Sequence, residues 1–244
     1  MVNLIYTELL KLKRAKMFFV SVIGAAAAPI MMFIGFLHMK SEKPDTPITF
    51  EVSFYNTNLY VILLIGTLLF GVITAYVFNR EYAEDTLKNL LTIPVSRISL
   101  IASKLVLVFL WILVLTLLSW GLTLVLGLVG QFEGLSTAVL LQSLKQYIIG
   151  ASLFFLLATP TTFVSLWFKN YVPTIIFTAI ITMVNVALVD TEYRVLFPWS
   201  AVHVIAYDSF VPEYPPHYSY LAVLAASVLG FIASVVYFNR SDID

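Results

Sequence analysis

Six apolar runs punctuate the chain, at about 18–38, 57–78, 100–129, 146–168, 171–190 and 218–238. Each is close to the roughly 20 residues a helix needs to cross a bilayer. The third has length to spare for tilting. The fourth and fifth are parted only by Lys169 and Asn170, which predicts a tight turn. The pattern predicts an all-α, polytopic membrane protein of six transmembrane helices, with residues 1–244 forming a single transmembrane domain.

Three segments outside the runs have patterns of their own. In residues 1–17 the stretch VNLIYTELLKLKRAK sets Ile5, Leu9 and Leu12 on one helical face and Asn3, Thr7, Lys11 and Arg14 on another. A basic amphipathic helix of this kind lies in the headgroup plane. The next apolar run continues through Pro29 to Met39, beyond the roughly 7–15 residues of a signal core, so an uncleaved first span is expected. Residues 191–217 hold Trp199, Tyr207 and Phe210 among Pro198, Pro212, Pro215 and Pro216. Residues 199–211 are mostly apolar but too short to span, which predicts re-entrant or interfacial helices.

The third segment, 79–97, carries Arg80, Glu81, Glu84, Asp85, Lys88 and Arg97, and Lys104 follows. From Glu81 its spacing predicts a short helix. Tyr82, Leu87, Leu90 and Leu91 form an apolar side, and Glu84 and Lys88 sit one turn apart. Pro94 ends it, and Ser96 is a predicted N-cap for the third span. It is read either as a hairpin lying on lipid or as a lever presenting charges and leucines to a cytoplasmic partner.

Composition sharpens this picture. The chain is 60% hydrophobic and 11% charged, against the quarter or so of charged residues usual in soluble domains. Net charge is zero, which suggests no nucleic-acid partner, and there is no cysteine for thiolate chemistry. Of the 14 lysines and arginines, ten fall on the side of the N-terminus, 79–104, 169–170 and the C-terminus. Lys40, Lys43, Lys145 and Arg194 fall on the other. That bias predicts cytoplasmic termini in the cell membrane.

The missing chemistry is equally informative. The span interiors are read as free of Asp, Glu, Lys and Arg, so an ion-coupled carrier lacks its usual intramembrane carboxylate. The sequence has no GxxxxGK[ST], HExxH or GxSxG. His38, His203 and His217 are scattered, and no metal site or catalytic residue is expected.

The stretch REYAEDTLKNLLTIPVSRISLIASKL resembles the segment after the second span in ABC-2 type permeases. Glu81, Asp85-Thr86, Leu90-Leu91-Thr92, Pro94, Ser96-Arg97 and Lys104 match in order, although Asp85 stands where Gly is common. The resemblance extends over essentially the whole chain and is strongest to the small permeases of bacitracin-type, lantibiotic-immunity and amphipathic peptide-toxin exporters. It implies a cytoplasmic ATP-binding cassette ATPase as partner, with ATP and Mg bound there and no cofactor in this chain. It also implies a second permease chain, identical or not. Arg80, Glu81, Tyr82, Glu84, Asp85, Thr86, Leu87, Lys88, Leu90, Leu91 and Pro94 would then form a coupling helix region. In that family spans two and five line the route. Tyr60, Thr67 and Thr74, and Thr174, Thr178, Thr182 and Asn185, form uncharged polar stripes there. They suit an amphipathic compound, or they bind helix to helix. The implied activity is export of a hydrophobic or amphipathic compound, most simply an antimicrobial or toxin-like peptide. The alternatives are a membrane anchor or sensor that recruits a cytoplasmic protein, and a carrier that needs no ATP.

Overall fold

The computed structural model describes residues 2–13, 15–43, 46–84, 86 and 96–240, without the side chains of Val2, Asn3 and Lys13. Among them the chain is helical: α1 (Val2–Lys13), α2 (Lys16–Glu42), α3 (Phe50–Tyr60), α4 (Gly66–Ala83), α5 (Arg97–Val129), α6 (Thr137–Phe168), α7 (Tyr171–Leu188), α8 (Pro198–Tyr207) and α9 (His217–Arg240). Six stretches are long and apolar enough to cross a membrane: α2, α3 with α4, α5, α6, α7 and α9.

Local chemistry sets the helix ends. Ser96 caps α5 as the sequence predicts, its hydroxyl accepting from the Ser99 N–H at 3.2 Å. Ser136 does the same for α6 and Asn170 for α7. Lys169, with φ 51°, makes the left-handed turn between those two helices.

Two spans depart from the apolar pattern. The fourth starts at Thr137 rather than near 146. Gln142, Lys145 and Gln146 lower hydropathy there but are good helix formers, so the helix begins before the apolar run does. The second starts at Phe50 and runs without a break through a π-helical stretch, Val61–Ile65, to Ala83. Glu81 and Tyr82 therefore belong to the last turn of α4 and not to a separate helix after it.

Span two is the centre of the bundle. Its apolar stretch is mostly buried, whereas those of α2, α7 and α9 are mostly exposed and form the perimeter. The outward faces carry large apolar side chains such as Phe19, Ile23, Met31, Ile180, Met183 and Leu229. Exposed surface of that kind belongs in lipid or against another apolar surface. A second core of Phe36, Phe50, Phe54, Phe132 and Tyr147 closes the bundle end opposite α1. Backbone bonds from Phe50 to Glu133 and from Glu133 to Ile48 tie the two loops there.

The 191–217 segment contains a 3₁₀ turn, Glu192–Val195, and α8, which buries Trp199, Ala201, Val202 and Val204. α1 inverts the usual amphipathic arrangement. Glu8 is buried while Tyr6, Leu9 and Leu10 are exposed.

Candidate functional site

The last turn of α4 and the first turns of α5 are the two roots of the connector between spans two and three. A buried ionic cluster joins them. Glu81 points inward and is 3% exposed. The Lys104 ammonium sits 2.6 and 2.7 Å from its two carboxylate oxygens and also donates to the Val77 carbonyl at 2.7 Å. From α1, Lys11 donates to Glu81 at 3.1 Å and to Glu8 at 2.7 Å, while Glu8 lies 3.7 Å from Lys104. Two carboxylates and two ammonium groups balance. That matters because a buried charge without a partner costs several kcal/mol, on the order of 3–5. Burial opposes the charge on Lys11. Its hydrogen bond to Glu8 and the charges of Glu81 and Glu8 outweigh that, and its pKa stands above the ordinary lysine value.

The surrounding contacts widen the junction. Arg80 pairs with Glu84 at 2.9 Å and donates to the Lys11 carbonyl at 3.3 Å, which fastens α4 to α1 a second time. Arg97 donates to the Phe238 carbonyl at 2.5 Å and lies over the Phe238 ring, which fastens α5 to the last turns of α9. The Thr86 N–H donates to the Glu81 carbonyl at 3.0 Å, and Thr86 itself is exposed. Tyr82 is half-buried, with the Lys169 ammonium 5.9 Å from its ring centre. The two roots are thus bonded into one junction with α1 and α9. Asp85, Leu87, Lys88, Leu90, Leu91 and Pro94 lie outside the described residues.

The sequence pattern places Glu81 and Lys104 among the charges of the connector. Their side chains are spent inside the bundle, on each other. That pattern does not pair Glu81 with Lys11 and Lys104, or Glu8 with the same two lysines. The signal was present in Lys104, a cation seven residues into an apolar helix, where ionisable groups pair or function.

A second polar node lies midway along span two. The π stretch frees backbone carbonyls from the regular helical ladder. The Asn185 amide donates to two of them, Ile62 and Leu63, at 3.3 and 3.2 Å, and the Thr67 hydroxyl donates to Ile62. The Asn185 carbonyl in turn accepts from the Ser200 hydroxyl at 2.6 Å, which brings in α8. Thr74, Thr174, Thr178 and Thr182 are likewise buried, and their hydroxyls donate to carbonyls within their own helices or, for Thr174, to that of the capping Asn170. The two stripes face one another across the α4–α7 contact, where a Cβ added at Gly71 would collide with the Thr178 side chain. Of the seven stripe residues only Tyr60 is exposed. The other six are buried between packed helices.

Comparison with known proteins agrees with this architecture. Residues 4–185 match the family described as ABC-2 family transporter protein. The bacitracin transport permease protein BCRB of Bacillus licheniformis is 63% identical over 204 residues, spanning 84% of this chain and 98% of that one. Six apolar helices and a match over three quarters of the sequence lead to one conclusion: the chain belongs to the ABC-2 family of transporter proteins, as a non-catalytic permease subunit in the membrane.

Proposed function

We propose that this permease exports a hydrophobic or amphipathic compound, an antimicrobial or toxin-like peptide, with ATP hydrolysed by a separate cytoplasmic ATP-binding cassette subunit. The observation that carries the reading is the ionic cluster of Glu8, Lys11, Glu81 and Lys104 at the roots of the connector. A push on residues 84–96 meets a junction shared by four helices, so it is transmitted and not absorbed locally. The chain has no phosphate-binding loop, so the energy enters from outside it.

The excess of cations at the α1 end supports cytoplasmic termini and a cytoplasmic connector. The outward Tyr6, Leu9 and Leu10 support a position for α1 on the membrane surface. The apolar outer faces of α2, α7 and α9 leave room for lipid and for a second permease chain. The peptide cargo is supported by the relative that transports bacitracin. Lys88 and Asp85 supply the charge that registers the ATPase, with Glu84, whose side chain is half exposed, beside them. The lever reading is favoured over the anchor because an anchor has no need of a four-helix junction behind its contact surface.

The test is co-expression with the ATPase subunit and purification through a tag on the permease. Asp85→Lys and Lys88→Glu are expected to insert normally and to lose most of the co-purifying ATPase or its substrate-stimulated turnover. Wild-type co-purification and turnover in both variants would remove the connector from the coupling role.

A further inference from the structure

At the bundle end opposite the ionic cluster lies a polar feature that coupling does not use. A cleft of about 420 Å³ opens between the first turns of α3, the first turns of α6 and the end of α8. Its one charged residue is Glu51, which is exposed and has no ion pair among the described residues. Gln142 and Gln146 stand one turn apart on α6, and both line the cleft. Asn56 uses its amide N–H on the Val52 carbonyl at 2.9 Å, which leaves its side-chain oxygen to accept. Tyr55 and Tyr207 meet edge to face with ring centres 4.9 Å apart and form an aromatic wall.

A position in the first turn of α3 explains a carboxylate at Glu51, because the helix dipole favours one there. It does not explain why three side-chain amides from two helices and two aromatic rings line the same space. One negative charge, three amides able to accept and aromatic faces suit an ammonium group, with the carboxylate setting the sign.

Depth narrows the ligand further. Glu51 and Glu81 are 30 residues apart on one continuous helical stretch, about 45 Å at 1.5 Å per residue. The hydrocarbon core is only about 30 Å thick. With the ionic cluster at one boundary, the cleft reaches the opposite headgroup layer. Val52 and Tyr55, both exposed, offer apolar surface beside it.

We infer that this cleft receives the primary ammonium group of an amphiphile at the outer membrane surface. Glu51 supplies the counter-charge, Asn56, Gln142 and Gln146 accept its N–H groups, and the tyrosines bound its sides. The inference rests on the orientation and the amphipathic cargo proposed above. The ammonium group comes either from the cargo or from an aminophospholipid.

The probe is 1,10-diaminodecane dansylated on one nitrogen, titrated onto the full chain in phosphatidylglycerol nanodiscs without the ATPase. Saturable binding at least about tenfold tighter than that of the N-acetylated probe is expected. Glu51→Gln should weaken it by about tenfold and abolish the preference, while Gln146→Ala weakens it less. Repeating the titration with phosphatidylethanolamine in the discs separates the sources: competition assigns the site to the lipid, and its absence to the cargo. Equal binding of the two probes, or unchanged binding to Glu51→Gln, overturns the cleft. Because no ATPase is present, that failure leaves the transport reading intact. Loss of ATPase coupling with normal probe binding would do the reverse.

Discussion

Replacing Lys104 with Met is expected to destabilise the folded chain by about 3–5 kcal/mol, the usual cost of stranding a buried charge. Lys104 holds both oxygens of Glu81 and the Val77 carbonyl, so its loss leaves Glu81 with Lys11 alone, at 3.1 Å. Glu81→Gln should be comparably harmful, because Lys104 then keeps only Glu8, at 3.7 Å, as a counter-charge. The double variant Glu81→Gln/Lys104→Met should be clearly milder than the sum of the two. It strands neither charge and keeps the Lys11–Glu8 pair at 2.7 Å. Thermal denaturation of the purified chain, followed by size-exclusion profile, measures all three. Single variants that melt like wild type would mean the cluster carries no structural weight. The comparison also isolates the mechanical role. A double variant that folds but transports poorly would show that the ions transmit force as well as hold the helices.

The second large effect is expected at Gly71. There α4 lies so close to α7 that an added Cβ meets the Thr178 side chain. Gly71→Leu should therefore cost about 3 kcal/mol or more through overpacking and separate the central span from its neighbour. Gly71→Ala should be less severe, and Thr178→Ala should partly relieve it by removing Cγ2 and Oγ1 while Cβ stays. Folded yield and melting temperature of the Gly71→Ala/Thr178→Ala pair against each single change provide the check. If Gly71→Leu were tolerated without loss, the tight α4–α7 crossing would not describe the folded protein.

The number and rough position of the spans were legible because lipid demands long apolar helices, and hydropathy reports that demand directly. Ser96 was legible as a cap because its role is local. Boundaries were less so. Residues such as Gln142 and Gln146 fail a hydropathy test yet propagate a helix, so α6 starts earlier than its apolar run. The π stretch has no one-dimensional signature: Val61–Ile65 reads as ordinary apolar helix, and the carbonyls it frees are taken up by Thr67 and by Asn185, more than 120 residues away. The ionic cluster was hidden for the same reason. Glu81 and Lys104 are 23 positions apart, and Lys11 and Glu81 are 70 apart, so no periodicity links them. Both threonine stripes were visible in the sequence as faces. That those faces meet each other is a property of tertiary packing. Glu51, Gln142 and Gln146 were unremarkable boundary residues until α3 and α6 brought them to one cleft.

The lack of cysteine allows a single reporter thiol to be placed anywhere without first removing others. Lys88→Cys in the assembled transporter, treated with a short thiol-to-amine cross-linker, asks the central question directly: which molecule touches the connector? The expected result is one adduct of permease plus ATPase, whose yield changes when ATP is bound. An adduct formed only with lipid or with a second permease chain, or a thiol labelled solely from the outside of intact cells, would contradict coupling through this segment.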